Sequence, residues 1–190
     1  MEPKNFSRIP QNLWSYAAYA AAAQTIGEYK TIFTAKLGDS GVSLNDTNFK
    51  TSSRVPYPQV LIYGVQAEIY NTGNAVKLPG LEINAARQNL SFTLYKNTVK
   101  RMFAMVHNIP AGNDVTGAIG VGATTTTLIN ATNGSPVSSN FYMFKQPEKF
   151  TANDQIEGRL TTEATWTVGA ALKVRITLLA YVDQAQGIGA

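Results

Sequence analysis

The residues in this chain that could carry out chemistry are few, and their spacing works against each obvious reaction. Asp154, Glu157 and Glu163 are candidates for the pair of carboxylates that glycoside hydrolysis requires. Asp154 and Glu157 differ in parity along an extended chain, so they point to opposite faces, and Glu157 beside Arg159 reads as a solvated strand. The run Gly117-Ala-Ile-Gly-Val-Gly-Ala-Thr has the glycines of a phosphate loop, but no lysine follows and no helical pattern begins there. His107 is the single histidine and stands beside Asn108 at a strand end, where a structural role is expected. With one histidine and no cysteine, thiolate and histidine-rich metal sites and disulfides are excluded. No catalytic group, cofactor or metal is assigned, and the chain is read as a non-enzyme.

The remaining chemistry is that of contact. Arg87, Lys96, Lys100 and Arg101 lie in a stretch with no acid between Glu82 and Asp114, and Phe92, Tyr95 and Phe103 are interleaved with them. Such a group suits an inner surface that touches phosphate, though four charges over this length do not make a sequence reader of DNA. Charged residues are only 15% of the chain, 16 basic against 12 acidic for a net of +4, where soluble domains carry roughly 25%. A surface short of Lys and Glu fits burial against neighbouring subunits. The alternative is a neutral, Thr/Asn-rich β-protein with no such interface.

At 190 residues the chain has the size of one domain, or one domain with an arm. The N-terminus MEPKNFSRIPQ lacks the apolar centre of a signal peptide, and the longest apolar run, Ala17 to Ala23, is too short to cross a bilayer. A soluble protein made in a cytoplasm is expected.

The elements that must position any surface begin with an arm, residues 1–27. Gln11 to Thr25 is rich in helix formers, with Pro10 placed to start a helix and Gly27 to stop it. Trp14, Ala17, Ala18, Ala21 and Thr25 would share one helical face, with Leu13, Tyr16, Ala20 and Ala23 beside it. A helix of this length is marginal alone. It therefore either docks on a neighbour or caps the end of its own domain.

From residue 28 the period is two. Leu172, Val174, Ile176, Leu178, Ala180 and Val182 alternate with Lys173, Arg175, Thr177, Leu179 and Tyr181, a long strand with one buried face. Further strands are expected over Tyr29–Leu37, Gln59–Asn71, Leu90–Tyr95, Phe141–Lys145 and Gln155–Thr162, with a weaker one over Leu78–Ile83. In Gln59–Asn71, Leu61, Tyr63, Val65, Ala67 and Ile69 are read as one face. Arg101–Ile109, apolar on both sides, is expected in the middle of a sheet. Gly112 to Asn140, low in complexity and nearly uncharged, is expected to hold one strand around Thr125–Ile129 and otherwise to form an exposed excursion. The pattern gives about eight or nine strands and no helix after residue 27, an all-β sandwich or barrel over residues 28–190.

The segment Phe141-Tyr-Met-Phe-Lys-Gln-Pro-Glu-Lys-Phe-Thr-Ala-Asn-Asp-Gln-Ile, followed by Glu157 to Thr162, a turn and Leu172 to Val182, resembles the end of jelly-roll capsid proteins of tailless, icosahedral bacterial and archaeal viruses. Leu90 to Tyr95 with Lys96 is similar to a mid-domain strand of that fold, and the resemblance covers roughly residues 58–182. It lies in pattern and not in a diagnostic motif, and lectin-like or carbohydrate-binding jelly rolls share much of it. The resemblance implies a single jelly roll of two four-stranded sheets. It also implies self-association into capsomers and a shell, a location in the virion after synthesis in a host cytoplasm, and other capsid proteins as partners. An internal membrane or genome would then lie against the inner surface. Trp14, Tyr16, Tyr19, Arg175 and Tyr181 are the candidate subunit contacts. A second reading is a carbohydrate- or receptor-binding phage appendage, with Tyr57, Tyr63, Trp14 or Trp166 as stacking platforms.

Overall fold

A computed structural model describes residues 6–39, 42, 44, 47–49, 53–55, 57–71, 80–110, 115–119, 129–132, 141–169 and 171–185. The strands are β1 (Phe6–Pro10), β2 (Leu13–Tyr19), β3 (Ala23–Gln24), β4 (Tyr29–Ile32), β5 (Gln59–Asn71), β6 (Leu90–Lys96), β7 (Val99–Met105), β8 (Val115–Ile119), β9 (Ile129–Thr132), β10 (Tyr142–Thr151), β11 (Ile156–Thr162), β12 (Trp166–Thr167) and β13 (Leu172–Ala185). One α-helix, α1 (Gly80–Asn89), and a short 3-10 turn at Val106–Asn108 complete the described elements.

The architecture is mostly antiparallel β, with two principal sheets over one core. The first runs β1-β13-β5-β10, with β2 also on β13, and the second runs β4-β11-β6-β7. The pairings nest. Taking β2, β4, β5, β6, β7, β10, β11 and β13 in chain order, the first pairs with the last, β2 with β13. The second then pairs with the seventh, β4 with β11. The third pairs with the sixth, β5 with β10, and the middle two, β6 and β7, form the innermost hairpin. Two more ladders, β13 with β5 and β11 with β6, fold this long hairpin into two layers.

The alternation of β13 holds throughout. Leu172, Val174, Ile176, Leu178, Ala180 and Val182 are all fully buried, with β5 on one edge and β2 then β1 on the other. In β5 the alternation breaks: Leu179 faces Gly64 and Ala180 faces Ile62, so Tyr63 is an extra residue with no partner on β13. A bulge of this kind reverses parity. Val60 and Ile62 therefore join Val65, Ala67 and Ile69 in the core, while Leu61 and Tyr63, expected on that face, leave it.

Three other expectations change. The expected helix over Gln11–Thr25 is replaced by strand β2, whose Leu13, Ser15, Ala17 and Tyr19 are buried in alternation. Alanine is the best helix former, but its advantage is only a few tenths of a kcal/mol per residue, and a full ladder with β13 plus a buried face outweighs it. Of the expected strand over Leu78–Ile83, residues 78–79 lie outside the described residues and Gly80–Ile83 instead open α1, a helix where none was expected after residue 27; it carries Glu82 in its first turn and Arg87 in its last and buries Ile83 and Ala86. The expected strand Tyr29–Leu37 stops at Ile32, because Phe33 takes a positive φ of 66° and turns into the core against Phe49, 5.1 Å between ring centres. The expected strand at Thr125–Ile129 falls largely outside the described residues, which hold β8 and β9 paired with each other on either side of it.

Candidate interface surfaces

Four of the five candidate contacts share one surface. Tyr16 pairs with Arg175 and Trp14 with Thr177 in the β2–β13 ladder, so Trp14, Tyr16, Arg175 and Tyr181 all lie on the outer side of the first sheet, opposite the buried set. Arg175 is bonded to Glu68 of β5, its register partner, through Nε at 2.6 Å and through Nη2. The Lys173 ammonium lies 4.2 Å from the centre of the Tyr16 ring. The Trp14 indole N–H donates to the Leu44 carbonyl at 3.0 Å, tying the connection after β4 to this face. Tyr19 does not belong with them. It is 1% exposed, on the inward side of β2, with its ring 6.3 Å from that of Trp166. Burial pushes its phenol well above the usual value.

The bulge at Tyr63 builds an aromatic group at the far end of the same face. Tyr63 stacks on Tyr181 at 5.3 Å and meets Phe141 edge-on at 5.8 Å. Phe141 lies so close over Gly64 that a Cβ there would overlap its ring. Burial and the neighbouring Tyr181 raise the Tyr63 phenol. Of the other stacking candidates, Tyr57 is half-buried against the core and Trp166 is buried.

The basic group does not assemble as one surface. Arg87 is 6% exposed, and its guanidinium donates to the carbonyls of Ile109 at 2.8 Å and His107 at 3.2 Å, fastening α1 to the 3-10 turn. Burial lowers its pKa. Arg87 is thus buried at the end of α1, with Nη2 engaged by two main-chain carbonyls, and does not share an exposed surface with Lys100 and Arg101. Lys96 donates to the Lys149 carbonyl at 2.6 Å, pairs with Asp154 at 3.1 Å and covers the Phe150 ring. Lys100 and Arg101 are exposed on β7, with Arg101 3.8 Å from Glu148.

The carboxylates are likewise engaged locally. Burial raises the pKa of Asp154, but hydrogen bonds from the Thr151 N–H, Asn97, Lys96 and the Thr151 hydroxyl outweigh that and bring it down to about 2. Glu157 holds Arg159 at 2.5 Å and raises the guanidinium pKa, while that guanidinium lies between the Tyr29 and Tyr95 rings at 4.7 and 4.6 Å. Glu163 accepts from the Ser91 hydroxyl.

One exposed apolar surface lies where the sequence pattern did not single it out. β7 and β10 end their sheets side by side, and between them lies a cleft of 520 Å³ lined by Arg101, Phe103, Tyr142, Met143, Phe144 and Lys145 among others. Phe103, Tyr142 and Val99 are exposed, and Met143 is 61% exposed. Arg101–Ile109 was expected in mid-sheet. Instead, among the described strands β7 is an edge, and Phe103 on its outward side lines this cleft. Two signals pointed here: Tyr142, Met143 and Phe144 are too many consecutive large apolar residues for one buried face, and Pro147 marks an edge strand. Among the described residues no helix is long and apolar enough to cross a membrane. No protein-family model matches the chain, and no curated protein matches its sequence.

Proposed function

We propose that this chain is a structural subunit of an icosahedral virus capsid, a single jelly roll that works by self-association and not by catalysis. The nested order of the ladders supports the fold part of this reading. A long hairpin of eight strands, rolled so that its last strand lies beside its third and its seventh beside its fourth, is the jelly-roll arrangement. The observation that carries the assembly part is the exposed apolar surface on opposite sides of the sandwich. Val99, Phe103, Tyr142 and Met143 lie at the β7/β10 edge, and Ile26 just before β4 and Tyr29 at its start lie at the β4 edge. A monomer gains nothing from leaving such groups in water, whereas a repeating contact between unlike surfaces builds rings and shells. In this reading the virion is where the chain acts, with copies of itself and other capsid proteins as partners. β1 and β2 pair with β13 of their own chain.

Expression of the full chain, followed by mass photometry and negative-stain imaging, tests the proposal. Closed particles or rings of constant size are expected. A protein that stays monomeric from nanomolar to high micromolar concentration would sink it.

A second reading is favoured by one specific feature. The stacked Tyr63 and Tyr181 rings, with Tyr181 exposed, form a platform of the kind that binds a sugar face. A receptor- or carbohydrate-binding appendage would show glycan binding that Tyr181→Ala abolishes, in a small discrete oligomer.

A further inference from the structure

The exposed large apolar side chains of the two edges differ in shape and in charge, and this pairs them. Beside β4 the chain projects. Thr25–Glu28 is a tight turn, closed by the Glu28 N–H on the Thr25 carbonyl at 3.2 Å, with Gly27 at a φ of 83° that other residues adopt only under strain. The turn is fixed to the body of the sheet by the Gly27 N–H on the Thr162 carbonyl and the Thr162 N–H on the Glu28 carbonyl, both 2.8 Å. It presents Ile26, 61% exposed, with the Glu28 carboxylate two residues on and Tyr29 beside it. Lys30, the nearest cation along the chain, is drawn back over the Tyr19 ring at 5.1 Å. The turn is therefore a fixed apolar projection carrying the Glu28 carboxylate; of the cations near it, Lys30 lies over Tyr19 and Arg159, over the Tyr29 ring, is paired with Glu157.

At the other end of the second sheet the surface is concave and basic. The 520 Å³ cleft has Phe103, Tyr142 and Met143 on its walls and Arg101 and Lys145 at its margin, against the single acid Glu148, which already faces Arg101. Lys100 stands next to it over the Phe103 ring at 4.4 Å. The projection and the cleft lie at β4 and β7, the opposite ends of the same four-stranded sheet.

We propose that the occupant of the β7/β10 cleft is the Thr25–Glu28 turn of a second copy of this chain. Ile26 seats among Phe103, Tyr142 and Met143, and Glu28 meets Lys145 at the margin. Each subunit then has one projection and one cleft, so the contact is head-to-tail and repeats around a ring. This rests on the capsid reading and specifies which surfaces carry it.

The chain has no cysteine, so single introduced thiols report on the contact without background. Ile26→Cys and Met143→Cys are prepared separately as full-length chains; both positions are exposed, and neither change disturbs the core. The two are oxidised alone and as an equal mixture, then run on a non-reducing gel. The expected result is a linked dimer in the mixture and loss of that band in either variant alone. Adding Glu28→Lys to the first chain should lower the yield, and adding Lys145→Glu to the second should restore it. Dimers of each variant by itself at the same yield would indicate a symmetric contact and overturn the proposal, as would a mixture that gives no dimer. Mass photometry of the unsubstituted chain separates the two failures. Large particles without the 26–143 link refute only this pairing, whereas a monomer refutes the capsid reading with it.

Discussion

Gly158 lies where side chains of the neighbouring strands crowd over the core side of β11, and replacing it with alanine measures that crowding. It sits on the core side of β11, paired with Ile32 of β4 and Leu94 of β6. A Cβ at this position would stand 2.6 Å from Cγ1 of Ile32 and 2.9 Å from Cε2 of both Phe33 and Phe92. All three neighbours are at most 1% exposed, so none can swing into solvent. Protein interiors pack at the density of organic crystals. Three side chains, two of them consecutive at the end of β4 and one on β6, must therefore shift by several tenths of an ångström or more. Overpacking of this kind costs about 1–3 kcal/mol, and the loss of glycine's backbone freedom returns roughly 0.5–1 kcal/mol. The net is a destabilisation centred on about 1 kcal/mol, which at this chain length lowers the melting temperature by about 2–4 °C. Gly38→Ala is the control, since its φ is 93° and nothing lies within 4 Å of the added carbon, leaving only backbone strain. Urea unfolding of both variants, with the slope unchanged, gives the comparison. A Gly158→Ala midpoint at or above that of the parent would refute the close approach of Ile32, Phe33 and Phe92.

Two further substitutions probe other parts of the fold. Ile176→Asp puts a carboxylate between Ser15 and Ala67 in the most buried row of the first sheet. An unpaired charge there costs several kcal/mol, so the variant should be insoluble or lack a cooperative transition; a soluble variant with the parent's circular dichroism would show that β13 is not core. Asp154→Asn removes the charge and replaces with an NH2 donor one of the two oxygens that join the Thr151–Asp154 turn to Asn97 and Lys96, and about 1–2 kcal/mol of stability should be lost at pH 7. The folded carboxyl titrates at about 2, below its ordinary 3.8. Its contribution is therefore present above about pH 4 and disappears as pH falls toward 2. Parent and variant should converge over that window in urea midpoints measured at pH 7, 4 and 2.5. A gap that stays constant would show that the carboxylate's charge is not what holds the turn.

How much of this was legible in the sequence depended on whether the deciding interaction was local. The β13 strand was, because its alternation is unbroken and one face alone can be buried. The face of β5 was misread by one bulge. Leu61 and Tyr63 continue the apolar alternation, and only the ladder with β13 and β10 shows that the chain takes an extra residue at Tyr63. Leu13–Tyr19 was misread for the opposite reason. Its composition speaks for a helix, and its strand form comes from β13, more than 150 residues away along the chain. Arg87 looked like part of a basic surface because charge is visible in sequence while the unpaired carbonyls of His107 and Ile109 that it serves are not. Trp14, Tyr16, Arg175 and Tyr181 did fall on one face, since period two carries through both strands once β2 is a strand.

The treatment of the edges bears on what kind of association this surface is built for. A terminal strand offers open N–H and C=O groups to any other chain, and proteins that must stay apart blunt it with lysine, proline and bulges. The middle of β10 has all of these: Lys145, Pro147 and Lys149, and a break in register between Met143 and Glu148 where the chain leaves the ladder. Yet the residues just before the break, Tyr142 and Met143, and Phe103 on the neighbouring edge, are left outside. If solubility alone had shaped this edge, the side chains would be polar wherever the backbone is protected. Protection of the backbone beside exposure of aromatic and thioether side chains excludes indiscriminate strand addition while leaving a surface that packs by shape. That combination suits a partner of fixed geometry, and another subunit docked through side chains meets the requirement where a β-strand added in arbitrary register does not.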